Sequence, residues 1–369
     1  MQIKFNPGTS WYLDLVRGGA AIVVLLGHAG QGFFSQGLAW MPKVAHEMVV
    51  IFFVLSGFVM SHVVSRGQIN WQDYLVARFS RIASVAYPAL VVTMICDFIG
   101  RRIAPNFYGD IARSGGYFWR ILLSSLFLQQ SGPLAASPGS NTPFWSLAYE
   151  VWYYIFLGLW LFVPGQRRRA VLLLLGAVVA GPKILLLLPV WLLGFFAHRL
   201  SSRQAPWIGI SGFLFVLTTA LLAAILSGHA TGLGYQGDWQ ASPPLYFSAG
   251  YLVDYAVGLL VAVHIFVVDQ LMNYWRCGQP SKTMNCLARF LADRSFSVYA
   301  FHMPLLYLTA VSLPYQKDNP LQVAAVLSLV LMIVLILHWV TEKRRPAWQQ
   351  AAHRTLRYLQ GLRAPASAR

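Results

Sequence analysis

The residues with the most chemical potential in this sequence stand inside its apolar runs. Arg17 and His28 are 11 positions apart in the first of them. On a helix that spacing is about three turns, so the two share a face and lie roughly 16 Å apart along the axis. Ionisable side chains within such runs are costly and face a bundle interior or a water-filled cavity. Histidine ordinarily titrates near pH ~6.5, which suits it to take a proton from a hydroxyl. Blander readings stay open: Arg17 could snorkel to an aqueous surface, and His28 could bond a neighbouring helix.

Three more groups share this character. Arg78 and Arg81 are three apart on one helix face, and paired guanidinium forks match phosphate oxygens. Ordinary anchoring at a membrane surface would use the same residues. Glu150 is the sole acid of its run and is ringed by Trp145, Trp152, Tyr153 and Tyr154. It could orient His28, contact a polar acceptor, or close a structural ion pair. His302 lies two residues before Pro304, which frees a backbone carbonyl near it; it could orient reacting groups or simply pack. Asp14, one turn before Arg17, could pair with it.

The elements that position these residues are membrane helices. Apolar residues make up 57% of the 369 and charged residues 11%, against about 25% charged in soluble domains. Stretches long enough to span are 13–35, 44–65, 79–99, 144–163, 207–227, 246–268, 296–312 and 321–341, with two shorter ones, 169–181 and 183–199, hinged at Gly181-Pro182. The first run lacks a clear small-residue cleavage site and reads as a retained span. One further stretch, 117–130, is too short and is expected to be a re-entrant or surface helix. With that segment not crossing and the N-terminus cytoplasmic, about three quarters of the 28 Lys and Arg fall on the inner side, as the positive-inside rule requires. The expected fold is therefore an all-α polytopic bundle of about ten spans with both termini cytoplasmic. A core over 1–346 is followed by a basic cytoplasmic tail, 347–369, expected as an amphipathic surface helix. The net charge of +16 then belongs to membrane topology, and no nucleic-acid partner is expected. Three cysteines at unsuitable spacing give neither a disulfide framework nor a metal site.

These residues resemble the acyltransferase-3 family of membrane acyltransferases, whose members O-acetylate lipopolysaccharide O-antigen, exopolysaccharides and Nod factors. Leu13 to Gly18 with Gly27-His28-Ala29 is similar to its opening Arg-x10-His motif. Phe52 to Phe58, with Ser56 inside, resembles its second-helix signature. Arg78-x-x-Arg81-Ile82 followed by Tyr87-Pro88 resembles the third. Trp145-Ser146-Leu147 to Glu150, Ser297 to Pro304, and Glu342 to Pro346 match later signatures. One departure is Val50, which stands where many members have an acid; Glu47, one turn earlier, is the candidate replacement. The additional esterase-like domain of some members is not expected after residue 346.

The resemblance implies transfer of an acyl group, most often acetyl, from cytoplasmic acyl-CoA to a glycan hydroxyl across a bacterial inner membrane. It implies His28 as general base or transient acyl carrier and Glu150 beside it. Arg17, Arg78 and Arg81 would bind the donor, and His302, Ser56, Trp145, Tyr153 and Asp14 would line the path or orient groups. Acetyl-CoA is the expected co-substrate, no permanent cofactor or metal is expected, and the expected partners are a free or lipid-linked glycan and membrane lipid, with a homodimer left open. The rival expectation is a transporter or flippase for a lipid-linked sugar.

Overall fold

The computed structural model describes residues 6–36, 44–67, 69–113, 116–201, 208–227, 244–275 and 280–363, and among these it contains helices and no strand. The chain runs α1 (Pro7–Ala29), α2 (Ala45–Ser65), α3 (Trp71–Ile103), α4 (Pro105–Arg113), α5 (Tyr117–Ser125), α6 (Trp145–Phe162), α7 (Gln166–Ser201), α8 (Ile208–Leu226), α9 (Tyr251–Tyr274), α10 (Lys282–Ser312), α11 (Pro320–Val340) and α12 (Arg345–Arg363). Their starts follow local rules. Pro7 and Pro320 open α1 and α11, and the side chains of Asn6, Asn70, Ser281 and Asn319 accept hydrogen bonds from first-turn N–H groups.

Each expected span overlaps a helix, although α1 ends at Ala29, short of the expected 35, and α9 begins at Tyr251 rather than 246. Six helices among the described residues are long and apolar enough to cross a membrane: α1, α2, α3, α7, α9 and the segment beginning at Pro320. The two short stretches on either side of Gly181 belong to one helical element, α7, with a sharp break. Gly181 has φ 79° and ψ 175°, a conformation open in practice to glycine alone. One cavity is walled by Leu173 from before the break, Leu188 and Leu192 from after it, and Phe156, Leu157 and Leu161 of α6. The chain thus doubles back at Gly181, with both halves beside α6. The stretch 117–130 contains the short α5, whose Phe118, Trp119 and Leu122 are exposed.

Long-range hydrogen bonds fix the ends of the bundle. At one end Asn6 Nδ2 donates to Met272 O, Trp11 Nε1 to Met284 O, and Arg345 Nη2 to Ala77 O. This end holds the starts of α1, α3 and α10 and the ends of α9 and α11. It is called the basic end below. At the other end Tyr315 O–H donates to Phe34 O, and His46 joins Asp254. The helix expected for the basic tail is α12, which lies along α3 with Trp348 stacked on Tyr87.

Close packing relies on small residues, as in other membrane bundles. A Cβ on Gly57 of α2 would lie 1.9 Å from Trp191 O, and one on Gly194 would lie 1.9 Å from Val54 O, so α2 and the second half of α7 meet backbone to backbone. Gly18 does the same for α1 against Leu291 of α10. That contact sets the register in which α1 and α10 bring His28 to His302.

Candidate active site

Arg17, Arg78, Arg81 and Glu150 come from three helices and line one narrow cavity of about 90 Å³, together with Ser56, Tyr154, Phe52, Ser146 and Tyr299. A second cavity, of about 280 Å³ at the basic end, is walled by Arg17, Arg81, Ser295 and Phe296 with Asp293, Glu342, Lys343 and Arg345. The two share Arg17, Arg81, Ser295 and Phe296, so they adjoin at the arginines between the basic end and the bundle interior.

Two of the arginines, Arg17 and Arg78, keep an unsatisfied buried donor. Among the described residues no carboxylate lies within ion-pair distance of Arg17, Arg78 or Arg81. Arg17 Nη2 donates to Ala292 O at 3.0 Å, but its Nε is buried without a partner. Arg78 Nε is likewise unpartnered; its Nη1 meets only Met60 Sδ at 3.1 Å, and the guanidinium sits 5.6 Å from the Tyr154 ring centre. The expected partnership of Asp14 with Arg17 is not an ion pair. Buried guanidinium donors normally find acceptors, and three guanidiniums around one cavity, two with an unpartnered Nε, fit a multiply charged anion such as a phosphate.

Glu150 belongs to this cavity. Its Oε1 accepts from Tyr154 O–H at 2.5 Å and Ser56 Oγ–H at 3.1 Å, and Ser56 Oγ also accepts from Trp191 Nε1 at 3.2 Å. None of these contacts is with His28, so Glu150 is not the group that orients it. A carboxylate held by two hydroxyls, a turn apart on α6 and across on α2, fixes the arginine-lined wall instead.

The partner of His28 is His302. Their rings stack with centres 5.0 Å apart, and His28 Nδ1 lies 2.9 Å from His302 Nε2. His302 Nδ1 lies 2.9 Å from Val298 O and 2.8 Å from Tyr299 O. Carbonyls only accept, so in the neutral ring the proton sits on His302 Nδ1 and its Nε2 offers a lone pair. His28 Nδ1 must then donate to it, which leaves His28 Nε2 with a free lone pair. His302 is fully buried and His28 is not. A second histidine thus fixes the ring and tautomer of His28, in the way a carboxylate orients histidine in hydrolase triads. Neither histidine lines the arginine cavity. Tyr299 does, with its ring 6.2 Å from that of His302, and its O–H donates to Pro143 O at 2.7 Å.

Other expected residues take packing roles. Tyr153 is fully buried and donates to Ile184 O at 3.0 Å, beside the break in α7. Trp145 stacks between His46 and Phe247. Ser56 does line the cavity; Glu47 does not. Sequence reasoning named Tyr154 beside Glu150 but did not count it as a site residue, although its position four residues after Glu150 puts it on the same helix face. It also missed Asn141, whose Nδ2 donates to Ala300 O at 2.9 Å and to Thr93 Oγ1 at 3.1 Å and so ties the 126–144 loop down beside His302. Nothing in local sequence marks a loop asparagine for that contact.

With this geometry in view, comparison with known proteins is direct. The family model described as an acyltransferase domain, Acyl_transf_3, matches residues 10–339. The chain belongs to the acyltransferase-3 family. The match runs through every helix that carries a candidate site residue, and with the six spanning-length helices it makes this an integral membrane acyltransferase. A peptidoglycan O-acetyltransferase, OatA, of Listeria monocytogenes serovar 1/2a is 24% identical over 366 residues, covering 85% of this chain and 52% of that protein. The chain therefore spans about half the length of this curated relative. No solved structure matches it.

Proposed function

We propose that this protein is an acetyl-CoA-dependent O-acetyltransferase of a cell-envelope or secreted glycan, working across a bacterial inner membrane. The observation that carries the reading is the set of three arginines, without an ion-pair partner among the described residues, around a cavity that adjoins another at the basic end. CoA is a phosphate-rich anion made in the cytoplasm. With the basic end inside, as the distribution of Lys and Arg favours, ten crossings place both termini there. The phosphates would rest on Arg17, Arg78 and Arg81, and Lys343 and Arg345 at the mouth would draw the donor in. The narrowness of the inner cavity supports a short acyl group, and the relative's peptidoglycan substrate supports a glycan acceptor.

The chemistry then falls to the histidine pair. The acceptor hydroxyl gives its proton to His28 Nε2 as its oxygen attacks the thioester carbonyl. The C–S bond breaks, the ester forms, and the CoA sulfur leaves as thiolate and takes up the proton from His28. His302 stabilises the transient imidazolium by accepting the Nδ1 hydrogen bond. If transfer runs in two steps, His28 Nε2 is also the atom that carries the acetyl group. Family membership weighs against a transporter for a lipid-linked sugar. The test is labelled acetyl transfer from acetyl-CoA to envelope glycan in proteoliposomes. Transfer by the wild type and its loss in His28→Ala at equal protein level support the reading; undiminished transfer in His28→Ala, or a wild type that binds no CoA, rejects it.

A further inference from the structure

A groove between α3 and α6 lies outside the machinery described above. It runs from Trp71 and Phe162 at the basic end to Tyr87 and Phe127, about 24 Å along α3, and encloses about 750 Å³. Its lips, Leu75, Phe79, Leu126 and Ile155, are exposed on the outside of the bundle, the side that meets hydrocarbon in a membrane protein. Gly158 opens its floor: a Cβ there would come within 3.2 Å of the Tyr74 ring.

One lining residue is charged, and it is Arg78. A guanidinium in such a wall is costly unless an anion meets it. Among the described residues its Nε is buried and unpartnered, and its Nη1 meets a thioether, Met60 Sδ. Arg78 lies seven residues beyond Trp71, about 10 Å along the axis. Tryptophan rings favour the membrane interface, and an arginine that far in reaches back towards the phosphate level. A long apolar slot with one unpaired cation near its interfacial end complements an amphiphile with an acyl chain and a phosphate.

We propose that this groove is a binding site for an anionic glycerophospholipid of the leaflet at the basic end, its chain lying along α3 and its phosphate on the outward side of Arg78. Arg78 also lines the inner cavity. Its five donors would let the lipid hold the guanidinium from outside while an anion meets it from within. The assignment does not depend on the proposed reaction.

The test is native mass spectrometry of the full chain released from nanodiscs containing phosphatidylglycerol. The wild type is expected to retain one lipid through detergent stripping. Ile155→Trp and Leu75→Trp, which fill the groove from exposed positions, are expected to retain about tenfold less, as is Arg78→Ala, the scale of a lost charged hydrogen bond. Arg81→Ala should retain it as the wild type does. Undiminished retention in both tryptophan variants overturns the site. Equal retention of diacylglycerol, which has the chains without the phosphate, overturns the role of Arg78. CoA titration of the same samples separates the two proposals. Ile155→Trp should bind CoA within about twofold of wild type; a wild type that keeps the lipid and binds no CoA would reject the donor reading and leave this one standing.

Discussion

The histidine pair gives the sharpest test, through His302→Phe. Phenylalanine keeps the buried ring volume but removes the acceptor for His28 Nδ1–H, which His302 Nε2 provides at 2.9 Å. The backbone carbonyl of Val24 stays beside His28, so the loss is that of one hydrogen bond to a group charged in the transition state, about 1–3 kcal/mol. With each ~1.4 kcal/mol worth tenfold, and with that bond strongest when His28 is charged in the transition state, kcat should fall roughly 5- to 150-fold. Removing the proposed base in His28→Ala should cost about 10²- to 10⁴-fold. The double variant should be no slower than His28→Ala, because His302 acts through His28. The arginine cavity is not touched, so KM for acetyl-CoA should stay within about twofold. The assay is release of CoA thiol with acceptor-dependent product, measured in proteoliposomes with protein level checked. A merely structural role for His302 would lower the amount of folded protein and leave the turnover of the folded fraction unchanged. Wild-type kcat in folded His302→Phe, or additive losses in the double variant, would refute the argument.

Other outcomes follow from the same structure. Arg17→Ala and Arg81→Ala should each weaken CoA binding by about 10- to 150-fold, the worth of a charged hydrogen bond of ~1.5–3 kcal/mol, with kcat less affected; titration calorimetry in detergent checks this, and unchanged affinity would remove these residues from the donor site. Gly57→Ala and Gly194→Ala should each destabilise the bundle by about 1–3 kcal/mol or more, because the new methyl meets backbone oxygen on the partner helix. Gly19→Ala, with nothing within 4 Å of its Cβ, should be neutral or slightly stabilising in the same thermal melt followed by size-exclusion chromatography. Gly181→Ala should lower the melting temperature and the yield, since φ 79° costs an L-residue about 1–3 kcal/mol and the methyl would lie 2.6 Å from Gly132 Cα; a wild-type melt would count against the reversal of α7.

Much of the fold was legible because membrane helices are governed by local composition. Apolar runs become helices wherever they stand, and the hinge at Gly181-Pro182 announced itself by residue type. Whether 169–181 and 183–199 were separate spans or one element was not legible, since it turns on a single dihedral pair. The site was half legible. Arg17, Arg78, Arg81, Glu150 and Ser56 share a cavity because each was a polar residue on an inward face. Which neighbour Glu150 meets was left open between His28, an acceptor and an ion pair, because a residue's depth does not say which helix it faces; its contacts are Tyr154 and Ser56. Tyr153 and Trp145 looked as available as Tyr154, yet rotation of α6 turns them into the packing.

The sequence by itself determined that this is a helical membrane protein with cations and histidines on interior faces. Those are properties of single segments, set by hydropathy and by the 3.6-residue repeat. Only the tertiary structure decided that His28 answers to His302. That pairing joins residues 274 apart and rests on the register of α1 against α10, set where Gly18 lets Leu291 approach. Separation along the chain carries no information about such a contact; close packing of two backbones does.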